Sequence, residues 1–176
     1  MARDDDVKIY TFEAATEADI LSESEEAAAR YMRHKEQGNL EKTRRLGETL
    51  AEELCRCAAA LREDPYARQK LVLAAFLARD VLESGVDDLI LQKSAAAAMQ
   101  KRLEEAAPEI ADTVRDSTGF TMYILNDRQR GARTPGAVLA DLCGREDDAE
   151  LAAQGNLLAD ELRRLFTRYV EDCAFA

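Results

Sequence analysis

Three arginines lie within six positions of one another, around a glycine and directly before Thr134-Pro135. Threonine followed by proline is typical of a helix start, where the first backbone N–H groups have no partner inside the helix. Guanidinium groups together with free N–H groups bind anions. The sequence therefore predicts an anion- or ligand-binding site formed by Arg128, Arg130, Arg133 and Thr134. The alternative interpretation is a solvated basic turn.

The residues before these arginines could line a pocket, because they combine hydroxyl groups with large rings. Residues 120–125 alternate as a strand would, but an apolar stripe from Ile110 continues through them at helical spacing, which favours a helix. Buried hydroxyls need partners, which are either the carbonyl one turn back or a ligand. The second interpretation predicts a pocket between the C-terminal helices, lined by Thr118, Phe120, Thr121 and Tyr123.

Most other site chemistry is disfavoured by the residue types. His34 is the single histidine, so paired-histidine zinc and di-iron motifs cannot be built from this sequence. We interpret His34 as a solvated residue in the basic last turn of a helix. Adjacent carboxylates such as Asp87 and Asp88 point about 100° apart on a helix, which is unsuitable for paired catalytic acids. We expect no catalytic residue, no metal and no cofactor.

The four cysteines are interpreted as reduced, structural thiols. Cys55 and Cys57 are separated by about 200° on a helix, so they cannot chelate one metal from one face. Cys57 and Cys173 follow apolar stripes and are expected to be buried, whereas Cys55 should react first. The N-terminus has no apolar signal region, and the longest apolar run, 71–78, is too short for a membrane span of about 20 residues. We therefore expect a cytoplasmic protein.

The charge argues against two classes of partner. A formal net charge of −11 at pH 7 repels a phosphate backbone and an anionic membrane surface at long range. Within the first predicted helix, acidic residues fill the first half and basic residues the second half, an order that complements the helix dipole. We expect no nucleic-acid and no membrane binding, and a protein partner or a homo-oligomer instead.

Glycine, proline and capping residues divide the chain into seven predicted helices. Their expected ranges are 16–37, 39–63, 65–85, 86–106, 108 to about 125, 135–143 and 147–173, with the three arginines in the loop before the sixth helix. The third is apolar on every side over 71–78, which indicates a central helix. The fourth contains SAAAAM at 94–99, a smooth surface that allows another helix to approach closely.

We therefore predict an all-α fold: a single-domain bundle of about seven helices with short antiparallel connections over 16–176, preceded by a flexible segment at 1–15. Helix pairs of about 45 residues are also the length of a HEAT-type unit, so a short HEAT-like array is the alternative. The expected function is a cytosolic protein–protein interaction or scaffold module without catalytic activity. The alternative is a small-ligand or anion-binding sensor or enzyme with a pocket between the C-terminal helices.

Overall fold

The computed structural model describes residues 17–115 and 134–175, with side chains from residue 24 onward. These residues form seven α-helices and no β-strand, which confirms the all-α helical bundle. The helices are α1 (Glu17–Glu36), α2 (Asn39–Ala60), α3 (Ala67–Gly85), α4 (Leu89–Ala106), α5 (from 108, described to 115), α6 (Pro135–Leu142) and α7 (Ala149–Asp172). The predicted segment 1–15 and the helix-or-strand question at 120–125 lie outside the described residues.

The helix boundaries lie close to those predicted from glycine, proline and capping residues, with small shifts. Gly38 adopts φ 74°, a left-handed conformation that costs glycine little, and this turn separates α1 from α2. Asn39 is the first residue of α2, as the expected range 39–63 has it, and its side chain is fully buried. The third helix begins at Ala67 rather than at Pro65, because Asp64 accepts a hydrogen bond from the backbone N–H of Tyr66 and closes a separate turn.

Helix α3 is the centre of the bundle, as its all-round apolar sequence predicts. It packs against α2, α4, α6 and α7. Leu73, Leu77 and Ala78 have no solvent exposure, and Phe76 is only 6% exposed. A helix that is apolar on every side is stable only when neighbours cover all its faces, and α3 has such neighbours.

Helices α2 and α4 approach closely through small residues. A Cβ atom added to Gly47 would lie 2.7 Å from the Cβ of Ala98 and 2.7 Å from the backbone nitrogen of Met99. The SAAAAM segment therefore provides the smooth surface predicted from the sequence, and Gly47 is the residue that meets it.

Side-chain pairs fix the directions of the main helices. Thr43 Oγ1 lies 2.9 Å from Ser94 Oγ, and Glu52 pairs with Arg102 further along both helices, so α2 and α4 run parallel. The intervening α3 runs between them in the opposite direction. Arg163 pairs with Asp80 at 3.4 Å, and α7 packs along α3. The hydroxyl of Tyr169 donates to Glu53 Oε2 at 3.0 Å, which joins α7 to α2.

Candidate functional site

Helix α1 leaves most of its surface in solvent. It packs on α2, and its end reaches the turn between α3 and α4 through His34. Between residues 24 and 36, all side chains are exposed except the half-buried Ala27 and His34. Tyr31 and Met32 are each 48% exposed, and each lies one turn from Ala28 on the surface of α1. The outer face of α1, defined by Ala28, Tyr31 and Met32, is therefore an apolar surface without an intramolecular partner among the described residues.

The end of α1 is held by a partly buried polar cluster. His34 Nε2 lies 3.2 Å from Asp88 Oδ2, while the side-chain amide of Asn39 donates to His34 Nδ1 at 3.2 Å and to Gln37 Oε1 at 3.3 Å. Because an amide nitrogen only donates, Nδ1 acts as the acceptor, and the ring proton belongs on Nε2, facing Asp88. Both ring nitrogens of His34 are therefore engaged.

The prediction of a solvated His34 is wrong, because only 15% of its side chain is exposed. The Gly38 turn brings Asn39 back over the last turn of α1, and the α3–α4 turn supplies Asp88. Gly38-Asn39 was visible in the sequence as a turn, but nothing local indicated that Asn39 contacts an imidazole. Asp88 was read only as one member of a solvated acidic pair.

Asp88 also starts α4. Its Oδ1 accepts a hydrogen bond from the backbone N–H of Ile90 at 2.8 Å, while its other oxygen faces His34. Partial burial alone would raise the pKa of Asp88, but the hydrogen bonds from His34 and Ile90 outweigh it and lower that pKa below its usual value. Asp88 is therefore an ionised cap that joins α1 to α4, and the pair has no free nitrogen for general-base catalysis.

A cleft lies beside this pair, at the end of the bundle where α1, the α3–α4 turn and the end of α7 meet. Its volume is about 630 Å³. Apolar side chains form much of the wall, including Val81, Val170 and Phe175, and carboxylates stand at Asp88 and Glu171. The cleft is large enough for a small molecule.

A second groove of about 760 Å³ lies between α2, α3 and α5. Cys55, Leu71 and Ile110 contribute apolar surface, and Arg62 and Glu109 bring both signs of charge. Burial raises the pKa of the Cys55 thiol, so the group is predominantly protonated at neutral pH. The groove suits an apolar ligand better than a nucleophilic reaction.

The predicted anion site is only partly within the described residues. Arg128, Arg130 and Arg133 lie outside them, so their role stays a prediction. Thr134 caps α6 by accepting from the N–H of Ala137 at 3.3 Å, and Asn156 Oδ1 accepts from the N–H of Gly136 at 2.8 Å.

The prediction of free N–H groups at the start of α6 is therefore wrong. Pro135 has no N–H, and the N–H of Val138 donates to the carbonyl of Thr134 at 3.1 Å. Any anion in this region would have to be held by the arginines. The predicted pocket residues Thr118, Phe120, Thr121 and Tyr123 all lie outside the described residues, and their role stays a prediction.

The cysteines differ from their predicted burial. All four are free thiols, and Cys57 and Cys173, expected to be buried, are only partly so. Burial, with a smaller effect of the Glu53 carboxylate, still raises the pKa of Cys57 to about 11. The pKa of Cys173 is also raised, chiefly by burial. Neither thiol is activated as a nucleophile.

Over residues 24–115 and 134–175, no three histidine, cysteine or carboxylate side chains stand together as metal ligands. None of the helices in these ranges combines the length and the apolar character needed to cross a bilayer.

Comparison with known proteins found no match among protein-family models, curated proteins or solved structures. The proposals below therefore rest on this chain's own residues.

Proposed function

We propose that this protein is a non-catalytic interaction module that binds an α-helix of another protein molecule on the outer face of α1. The observation that carries the proposal is the exposure of Tyr31 and Met32, each one turn from Ala28, on a helix that is attached to the bundle by its end. An amphipathic helix that packs its apolar side chains into a partner is a recurring mode of protein recognition.

Burial of this face would contribute usefully to binding. Full burial of one large apolar side chain contributes about 1.5–3 kcal/mol of free energy. Tyr31 and Met32 are half-exposed, so covering each of them contributes about half of that. The contact of His34 with Asp88 and Asn39 fixes the end of α1 before a partner arrives. A helix that is already ordered loses less conformational entropy on binding.

The absence of catalysis is proposed from the chemistry of the polar groups. Both ring nitrogens of His34, the single histidine, are engaged by Asp88 and Asn39. The pKa values of all four thiols are raised, chiefly by burial, so few thiolates exist near neutral pH. Neither group is prepared to act as a base or a nucleophile.

The proposed setting is the cytosol, and the proposed partner is a protein rather than a nucleic acid or a membrane. Four free thiols suit a reducing compartment. The formal net charge of −11 supports a protein partner, because phosphate-rich surfaces would be repelled.

Site-specific photo-crosslinking tests the proposal. We would place p-benzoylphenylalanine at position 32, in the outer face of α1, and in a control at position 157, where Leu157 is 65% exposed on α7. Irradiation of cells that produce the protein should give discrete protein adducts from position 32 and not from position 157. Equal adduct patterns at both positions, or none at position 32, would contradict the proposal.

A second candidate function is the binding of a small apolar ligand, favoured by the groove of about 760 Å³ beside Cys55. A ligand in this groove should slow the reaction of Cys55 with a thiol reagent and leave the rate of Cys143 unchanged. Screening a set of apolar small molecules by Cys55 protection would test it. Protection of both thiols by the same compounds would indicate general stabilisation instead.

A further inference from the structure

The order of charges along α1 indicates which helix would fit its outer face. The first ten residues of α1 carry five carboxylates, at positions 17, 19, 23, 25 and 26, and the last ten carry Arg30, Arg33 and Lys35 against a single carboxylate at Glu36. Because the helix dipole also favours this order, the charge sequence alone does not require a partner. The partner follows from the charges together with the exposed apolar face.

We propose that the helix bound by α1 is α1 of a second copy of this chain, running antiparallel to it about a two-fold axis. The inference rests on the proposed function and names its partner. An antiparallel pair places the acidic half of each helix beside the basic half of the other, whereas a parallel pair places like charges together. The helix is thus complementary to its own reversed copy.

The charged groups that would act across this axis are not used within the described part of the chain. Glu25, Glu26, Arg30 and Arg33 are exposed and form no ion pair with another described side chain. These charges can therefore interact with charges of a second copy that lie within the screening distance of about 8 Å at physiological salt.

The apolar groups fit the same arrangement. Helix α1 spans 20 residues, or about 30 Å, and Ala28 lies near its middle, where a small side chain allows two helices to approach. A two-fold axis near the middle repeats every contact, so both copies of Tyr31 and Met32 are covered at once. Within the described part of the chain, α1 is attached by its end near His34 and its outer face stays exposed.

A contact between two single helices is small, so the dimer should be weak. Interfaces below about 1,200 Å² usually belong to transient complexes. We therefore expect a dissociation constant of about 1–100 µM, and a salt dependence set by the charged halves.

Sedimentation velocity of the full chain, from about 1 to 300 µM at low salt, tests the inference. One variant, E25K/E26K, weakens the acidic half, and the other, R30E/R33E, reverses the basic half. Each alone should raise the dissociation constant at least about tenfold, because an attractive contact is lost or becomes repulsive. An equimolar mixture should associate more tightly than either variant alone, since the lysines of one variant meet the glutamates of the other.

Two further variants test the apolar contribution to the dimer separately from the charges. Tyr31→Ser should also weaken the dimer, whereas Leu157→Ser, at an apolar position on α7 that is more exposed (65% against 48%), should leave the dissociation constant unchanged. Circular dichroism confirms that each variant keeps its helix content. A wild-type protein that stays monomeric at 300 µM overturns the inference, and so does a dimer that neither charge variant weakens or whose variants fail to complement each other.

The outcome is distinguishable from failure of the proposed function. If the wild type is monomeric while position 32 still crosslinks to other proteins, the second-copy inference fails and the interaction module stands. If position 32 gives no adduct and the protein is monomeric, both fail.

Discussion

His34 Nε2 lies 3.2 Å from Asp88 Oδ2, and this contact ties the last turn of α1 to the first residue before α4. The two residues are far apart in the sequence and belong to different turns. Because Asp88 also caps α4, a single carboxylate orders two helix ends. The position of the outer face of α1 relative to the bundle depends on this contact.

Replacing Asp88 by asparagine should reveal the charged part of this contact. Asparagine can still cap α4, so Asp88→Asn mainly removes the ionised partner of His34. We expect a loss of about 1 kcal/mol in the free energy of unfolding near pH 7, measured by urea titration.

The pH dependence of that loss has a defined sign. The pKa of Asp88 is lowered in the folded protein, so its charge stabilises the fold above the unfolded pKa, and this contribution is lost as the pH falls through the folded pKa. The difference between the wild type and Asp88→Asn should shrink as the pH falls below about 4. A difference that stays the same down to pH 3 would contradict an ionic role.

The sequence predicted the helices well because their boundaries are local. Gly38 and the capping Thr134 act on their immediate neighbours, and both separate or start helices where expected. The last helix, expected from 147, begins at Ala149, because Asp148 accepts a hydrogen bond from the backbone N–H of Leu151 and caps it. Which of two adjacent acidic residues caps a helix depends on the packing of the helix that follows.

The candidate site could be predicted only in part because its contacts are not local. The sequence indicated a first helix at 16–37 but not which of its faces packs on the bundle. In the structure Ala27 and His34 take the inner side, and Tyr31 stays outside. The bond from Tyr169 to Glu53 spans 116 positions, a separation at which no local pattern indicates a contact.

Phe76→Ala should be among the most destabilising single substitutions in the chain. Phe76 lies in α3 among buried neighbours and is 6% exposed. Loss of a buried ring costs about 3–5 kcal/mol, because the cavity left behind does not fully collapse. Urea titration of the variant beside Leu157→Ala, which should change stability by less than about 0.5 kcal/mol, provides the measurement. A loss under about 1 kcal/mol for Phe76→Ala would mean that α3 is not central.

The four thiols should react at different rates. With a pKa of about 11, Cys57 has a thiolate fraction of about one in a thousand at pH 8, and it is also partly covered. We expect Cys57 to react more than about tenfold slower than an exposed model thiol, and Cys55, in an open groove, to react before it. Rates measured on variants that each keep one cysteine, under native conditions and in urea, separate burial from intrinsic reactivity. Equal native rates for Cys55 and Cys57 would be inconsistent with this geometry.

Helix propensity and packing have opposite effects on the stability of Gly47→Ala. Alanine is favoured over glycine in a helix by about 1 kcal/mol, so propensity alone predicts a more stable protein. The added methyl group would instead meet the backbone carbonyl of Ala95 and the Cβ of Ala98, and backbone atoms cannot move aside without separating α2 from α4. Such overpacking costs about 1–3 kcal/mol, and we expect a net loss of stability.

Gly85→Ala is the matched control. Its Cβ would lie 3.2 Å from Val170 Cγ1, the end of a side chain that can shift slightly, at the last residue of α3. Thermal melts of both variants should show a lower melting temperature for Gly47→Ala than for Gly85→Ala. If Gly47→Ala melts at or above the wild-type temperature, α2 and α4 do not approach as closely as their small residues allow.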